Sequence, residues 1–138
     1  MKALFIPFSA SPLSIKRCLR VAEAWQARGH QAVFAAGEEA QPTLQAAGFA
    51  PHQLPEVPRA QFERRPGFLW ATPAYFQRNL RLERQLIAQL RPDVVVSDYR
   101  LTSPGAARQA GLPCVSLQHT SAVLLGNRPD QAVRYLVF

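Results

Sequence analysis

Lysine, cysteine, acidic residues and long apolar runs are all scarce in this 138-residue chain, and each scarcity narrows what it can be. No stretch approaches the ~18–20 consecutive apolar residues of a membrane-spanning helix. The N-terminus has neither the long apolar region nor the small-residue cleavage site of a secretory signal, so a cytoplasmic location is expected. The two cysteines, Cys18 and Cys114, form no C-x-x-C pair, and buried reduced thiols are expected of them. No His, Cys and carboxylate spacing suits a metal, so neither metal nor cofactor is expected. Of the 16 basic side chains only Lys2 and Lys16 are lysines, against 9 acidic ones, and the formal net charge is +7. Such a balance permits contact with nucleic acid, anionic lipid or phosphorylated substrates. The arginines are spread along helices without an aromatic stacking motif, so nucleic acid is not an expected partner. Peripheral membrane contact stays open. Also missing are a G-x-G-x-x-G turn and a G-x-x-x-x-G-K-[ST] loop, which removes the usual dinucleotide and P-loop sites. A receiver domain needs acidic residues after its first strand, where Pro7-Phe8-Ser9 stand.

What is present is globular. Apolar residues make up 48% of the chain, and one domain of this length buries about two-thirds of its unfolded surface. The organising stretch is Lys2 to Ala36. Ala3-Leu4-Phe5-Ile6 is a continuous apolar run, as in a parallel strand covered on both faces. Ser9 to Ser14 breaks it, with Ser11 placed as N-cap and Pro12 at the first helical position. Ile15, Cys18, Leu19 and Ala22 follow at helical spacing, Gly29 ends the helix, and Val33-Phe34-Ala35 opens a second strand. A strand–helix–strand unit of this length implies a right-handed crossover in a parallel sheet.

Further along, Pro42 to Gly48 reads as a short helix and Phe49 to Leu54 as a weak third strand. Val57 to Gly67 shows no period and reads as a surface excursion. Phe62 in it, and Phe68, Leu69 and Trp70 after it, either cover the core or line an apolar acceptor site. Thr72-Pro73 opens the longest helix, with Phe76, Leu80, Ile87 and Leu90 as its expected buried stripe and Arg78, Arg81 and Arg84 facing water. Glu83 is expected to pair with a neighbouring arginine at small benefit. Asp93 to Asp98 is the strongest strand. Ser103-Pro104 caps a helix over Gly105–Ala110, and Pro113 to Leu117 is a fifth strand. A final helix is expected from Asp130. It ends in apolar residues, so the chain reads as the front of a longer polypeptide.

Ligands of doubly wound sheets sit outside the carboxyl ends of the strands, which makes Asp98 and His119 candidate site residues. Ser9, Ser11 and Ser14, at a helix start, are candidates for an anion or a sugar hydroxyl. Capping alone accounts for them equally well. His30 follows a helix-ending glycine and is read as structural.

Phe5-Ile6-Pro7, Arg17-Cys18-Leu19, Ala22-Glu23-Ala24 and Arg28-Gly29-His30 together resemble the start of GT-B glycosyltransferases of the macrolide, flavonoid and UDP-sugar type. The likeness continues through Arg91-Pro92-Asp93-Val94-Val95-Val96-Ser97-Asp98, Gly105-Ala106-Ala107 and Ala110 to Leu117, and so spans most of the chain. It implies a Rossmann-like three-layer α/β sandwich with a mostly parallel sheet, forming the N-terminal, acceptor-binding domain. It also implies transfer of a hexose from a nucleotide-sugar to a hydroxyl of a small or lipid-linked acceptor, without a metal. The donor would be held by a C-terminal domain beyond these residues, so the isolated chain is expected to be inactive. In the family a loop histidine acts as general base and pairs with a strand-terminal aspartate. Asp98 matches the aspartate, whereas Ser14 stands where the histidine would be, and a hydroxyl cannot replace imidazole as a base. Three readings stay open: Asp98 acts alone, His119 takes the role, or the site is inactive. Ser9, Ser11, Ser14 and Trp70 are the candidate acceptor contacts. Two other assignments are the acceptor or membrane subunit of a split two-chain transferase, whose partner is a donor-binding chain, and a non-catalytic ligand-binding module.

Overall fold

The structure, a computed structural model, describes residues 1–56, 59–64, 72–118 and 133–137. Its strands are β1 (Lys2–Ile6), β2 (Gln31–Ala36), β3 (His52–Gln53), β4 (Val94–Asp98), β5 (Cys114–Gln118) and β6 (Val133–Val137). They form one sheet in the order β3-β2-β1-β4-β5-β6, and every pairing is parallel. The helices are α1 (Pro12–Gln26), α2 (Gln41–Ala46), α3 (Arg59–Arg64), α4 (Pro73–Leu90) and α5 (Ser103–Gln109). The α/β, Rossmann-like class expected from the first crossover is the class observed.

Side-chain alternation along the buried strands divides the core in two. Ala3, Phe5, Phe34, Val94 and Val96 point to one face, where Ile15, Cys18 and Ala22 of α1 and Leu44 of α2 cover them. Leu4, Ile6, Ala35 and Val95 point to the other, against Ile87 of α4 and Ala106 and Ala107 of α5. Phe5 and Phe34 stack with ring centroids 5.2 Å apart, tying β1 to β2 beneath α1. Each fully buried side chain of this size contributes roughly 1.5–3 kcal/mol. The core is thus built around the two central strands, β1 and β4. Both cysteines are free and buried, as expected. His30 packs against Trp25 with ring centroids 4.8 Å apart, in keeping with its structural reading.

Several expectations need correction. The third strand is only two residues long, because Phe49 turns inward to meet Phe34 edge-on rather than extending the ladder. Part of the segment read as an irregular excursion is helical, as α3. Helix α5 starts at Ser103, with Thr102 rather than Ser103 as its N-cap residue. The stretch expected to be helical from Asp130 holds a sixth strand, β6, which pairs in register with β5 from Cys114↔Val133 to Gln118↔Val137. Valine and tyrosine in Val133-Arg-Tyr-Leu-Val137 favour a pleated strand, and an open parallel edge was there to receive it.

The largest correction concerns α4. Ile87 is buried and Leu80 and Leu90 pack partly buried against the core as expected, but Phe76 is 37% exposed and the other fully buried positions are the polar Asn79 and Glu83. A stripe that is two-thirds polar is invisible to hydrophobic periodicity. It forms because an arginine from another element reaches into it.

Candidate functional site at the carboxyl ends of β1 and β4

The direction in which successive strands are added reverses between β1 and β4, and the loops that leave them part to opposite faces of the sheet. The first loop runs from Pro7 to Ser11, and the second from Tyr99 to Thr102. Sheets of this order hold their ligand crevice at that point.

Ser11 caps α1 as expected, its hydroxyl accepting from the Ser14 amide at 3.3 Å, with Pro12 at the start of the helix. Ser14 is wholly buried. Its Oγ accepts from the Phe8 amide at 2.9 Å and donates to the Asp98 carbonyl at 3.4 Å, so it stitches the two loops together. Ser9 Oγ accepts from the Gly37 amide at 2.7 Å, and the Ser9 amide donates to Glu56 Oε2 at 2.8 Å. Gly37 has no room for a side chain: a Cβ there would lie 3.0 Å from Glu56 Cβ and 3.2 Å from Ser9 Oγ. Of the three serines, Ser9 and Ser14 are buried and committed to the scaffold, and only Ser11 keeps a half-exposed hydroxyl.

Asp98 ends β4 on the face that Val94 and Val96 share, which directs its carboxylate at α1. Arg17 lies one turn beyond Ser14 and meets it side-on: Nε donates to Oδ2 at 2.7 Å and Nη2 to Oδ1 at 2.8 Å. Asp98 is fully buried, whereas the Arg17 side chain stays 25% exposed. The hydrogen bonds from Arg17 to Asp98, opposed by partial burial, hold the guanidinium pKa above its ordinary value. Both carboxylate oxygens of Asp98 thus sit in a charge-assisted arginine fork.

Arg100, two residues on, turns to the opposite face. It is buried, and it donates from Nε and Nη2 to Glu83 Oε1 at 3.0 and 2.8 Å, and from Nη1 to Glu56 Oε1 at 2.7 Å. Thr102 Oγ1 donates to the same Glu83 oxygen at 2.7 Å, while Glu83 Oε2 is buried without a hydrogen bond. Burial works against charge on Arg100, and the Glu83 and Glu56 carboxylates more than offset it, so its pKa lies above the ordinary arginine value. Burial pushes the Glu56 carboxyl up, against the counteracting pull of Arg100 and Ser9. Sequence reading gave Glu83 a minor surface pair and did not single out Glu56 or Arg100.

Beside the crevice, a cleft of about 160 Å³ lies between α1 and the turn before α2, lined by Ser9, Pro12, Ile15, Lys16, Glu39 and Thr43. His119 and Trp70 lie outside the described residues, as do Phe68 and Leu69. Among the described residues no group of three His, Cys, Asp or Glu side chains is placed to hold a metal, and no helix is long and apolar enough to cross a membrane.

Residues 15–137 match the glycosyl transferase 4-like domain family. The curated protein sequences contain no match. Among solved structures, the chain is similar to the spinosyn rhamnosyltransferase SpnG, at 24% identity and TM-score 0.65 over 86% of this chain and 35% of that one. It is also similar to the glycosyltransferase SnogD from Streptomyces nogalater, at 27% identity and TM-score 0.63 over 86% of this chain and 33% of that one. MurG from Acinetobacter baumannii aligns with 98% of this chain and 45% of its own, at 18% identity and TM-score 0.67. The chain therefore spans under half the length of each of these structures. It belongs to the glycosyl transferase 4-like family, with the fold of a GT-B glycosyltransferase N-terminal domain.

Proposed function

We propose that this chain is the acceptor side of a glycosyltransferase, taking a hydroxyl-bearing molecule into the crevice between β1 and β4. The hexose comes from a nucleotide-sugar held by a second domain or a separate donor-binding chain. The observation that carries the reading is the parallel order β3-β2-β1-β4-β5-β6, whose switch point lies between β1 and β4, where Arg17 grips Asp98. Solved relatives give it background: one SpnG structure contains thymidine diphosphate and another the spinosyn aglycone. Those ligands occupy proteins about two and a half times as long as this chain, since 86% of the chain aligns with 34% of each.

In this reading Asp98 is a positioning residue. Its grip on Arg17 fixes α1 against β4, with each carboxylate oxygen accepting from the guanidinium. Ser14 ties the loops together and Ser11 offers a hydroxyl to the acceptor. The proton acceptor falls to His119, just past the end of β5. A second reading is favoured by the same ion pair: with no histidine at position 14 and Asp98 taken up by Arg17, the domain binds its ligand without performing chemistry.

Turnover assays separate the two. With UDP- or dTDP-sugars and a phenolic acceptor, the 138-residue chain alone should transfer nothing, and robust turnover would contradict the acceptor-side reading. With the donor-binding partner present, transfer that His119→Ala abolishes supports the catalytic form. Absence of transfer from the assembled pair supports the binding form.

A further inference from the structure

We propose that Tyr99 is the ring-contacting residue of the crevice, a platform on which the flat face of an acceptor stacks; this rests on the acceptor-side reading. Tyr99 has φ of +56°, in the left-handed region that bulky side chains avoid. The other non-glycine residue with positive φ among those described, Arg91, sits at the end of α4, where left-handed caps are ordinary. Tyr99 has no helix end to account for it. Its neighbours impose the conformation: Asp98 is pulled to Arg17 on one face of the sheet, and Arg100 to Glu83 and Glu56 on the other. A backbone held from both sides in a costly conformation aims one side chain outward.

The result is an aromatic ring 46% exposed just past the carboxyl end of β4, backed by the buried Phe8 ring at 5.9 Å between centroids. Leu13 and Leu101 are exposed at the same end of the sheet, at 60% and 53%. An exposed ring with an aromatic backing offers a flat apolar face to a planar acceptor. The backbone cost has already been met by the fold, so binding adds no backbone ordering at Tyr99.

The test is saturation-transfer NMR of the full 138-residue chain with 4-methylumbelliferone, a flat ring bearing one hydroxyl. Tyr99→Phe should bind within about twofold of the parent. Tyr99→Asn, which accepts the left-handed backbone but carries no ring, should bind about fivefold or more weakly. Tyr99→Leu should lose binding to the same degree. It covers Phe8 as tyrosine does, and so guards against a variant that merely unfolds. Ring binding by the leucine or asparagine variant equal to that of the parent overturns the proposal. A parent chain that does not bind the ring overturns it too, and leaves the acceptor-side reading to its own turnover test.

Discussion

Arg17 holds both carboxylate oxygens of Asp98, at 2.7 and 2.8 Å, across 81 residues of sequence. Replacing Arg17 leaves a fully buried carboxylate without a counter-charge. Arg17→Met is expected to lower unfolding free energy by about 3 kcal/mol in urea titrations, near the low end for a buried pair because Arg17 is partly exposed. Arg17→Lys should recover less than half of that, since an ammonium cannot supply the paired geometry.

Arg100 serves two carboxylates, so its loss should cost more. Arg100→Met strands Glu83 and Glu56 together in the interior and is expected to exceed the Arg17→Met cost by at least ~1 kcal/mol. Thr102→Val removes a single neutral donor to Glu83 and should cost about 1 kcal/mol. Urea unfolding of the three variants under one buffer checks the order.

Alternation along β4 made half of this site readable in advance. With Val94 and Val96 facing α1, Asp98 had to face it as well, and a helix start rich in serine placed the loop beside it. The partners of Arg100 were not readable. They are separated by 17 and 44 residues, and they come from a helix whose buried stripe is polar and from a loop after a two-residue strand. Hydrophobic periodicity cannot find a stripe that is buried because it is paired. The sixth strand was missed for a related reason: Val133 to Val137 is apolar enough for either element, and its strand conformation depends on the open edge of β5.

Glu56 gives the chain a pH dependence of definite sign. Its folded pKa is raised by burial, so the native state holds its proton more tightly than the unfolded chain does. Stability then falls as pH rises from the ordinary carboxyl range through the raised value, and is regained on acidification. Thermal melts from pH 4 to 8 should show the parent losing ground to Glu56→Gln as pH rises. A gap that is constant across that range would contradict the assignment.

Strain at Tyr99 is measurable apart from its ring. Tyr99→Ala and Tyr99→Gly both delete the ring, but only alanine keeps a Cβ at φ of +56°. The glycine variant should be the more stable by about 0.5–1 kcal/mol, the Cβ penalty less the entropy glycine loses on folding. Equal stability would mean that the backbone relaxes.

Cys18 and Cys114 should be silent in the native state. Burial pushes the Cys114 thiol up to about 12 and the Cys18 thiol well above its ordinary value. A thiol reagent at pH 8 should react with neither until denaturant is added, at native rates at least ~100-fold below those of the unfolded chain.

The central claim is that this chain holds the acceptor, with the nucleotide-sugar bound elsewhere. Backbone amide shifts of the labelled 138-residue chain, titrated separately with 4-methylumbelliferone and UDP-glucose, test it most directly. The account predicts that the phenol moves the amides of Phe8–Ser14 and Tyr99–Thr102, and that UDP-glucose leaves them in place. Shifts of those amides by UDP-glucose, with none from the phenol, would contradict it.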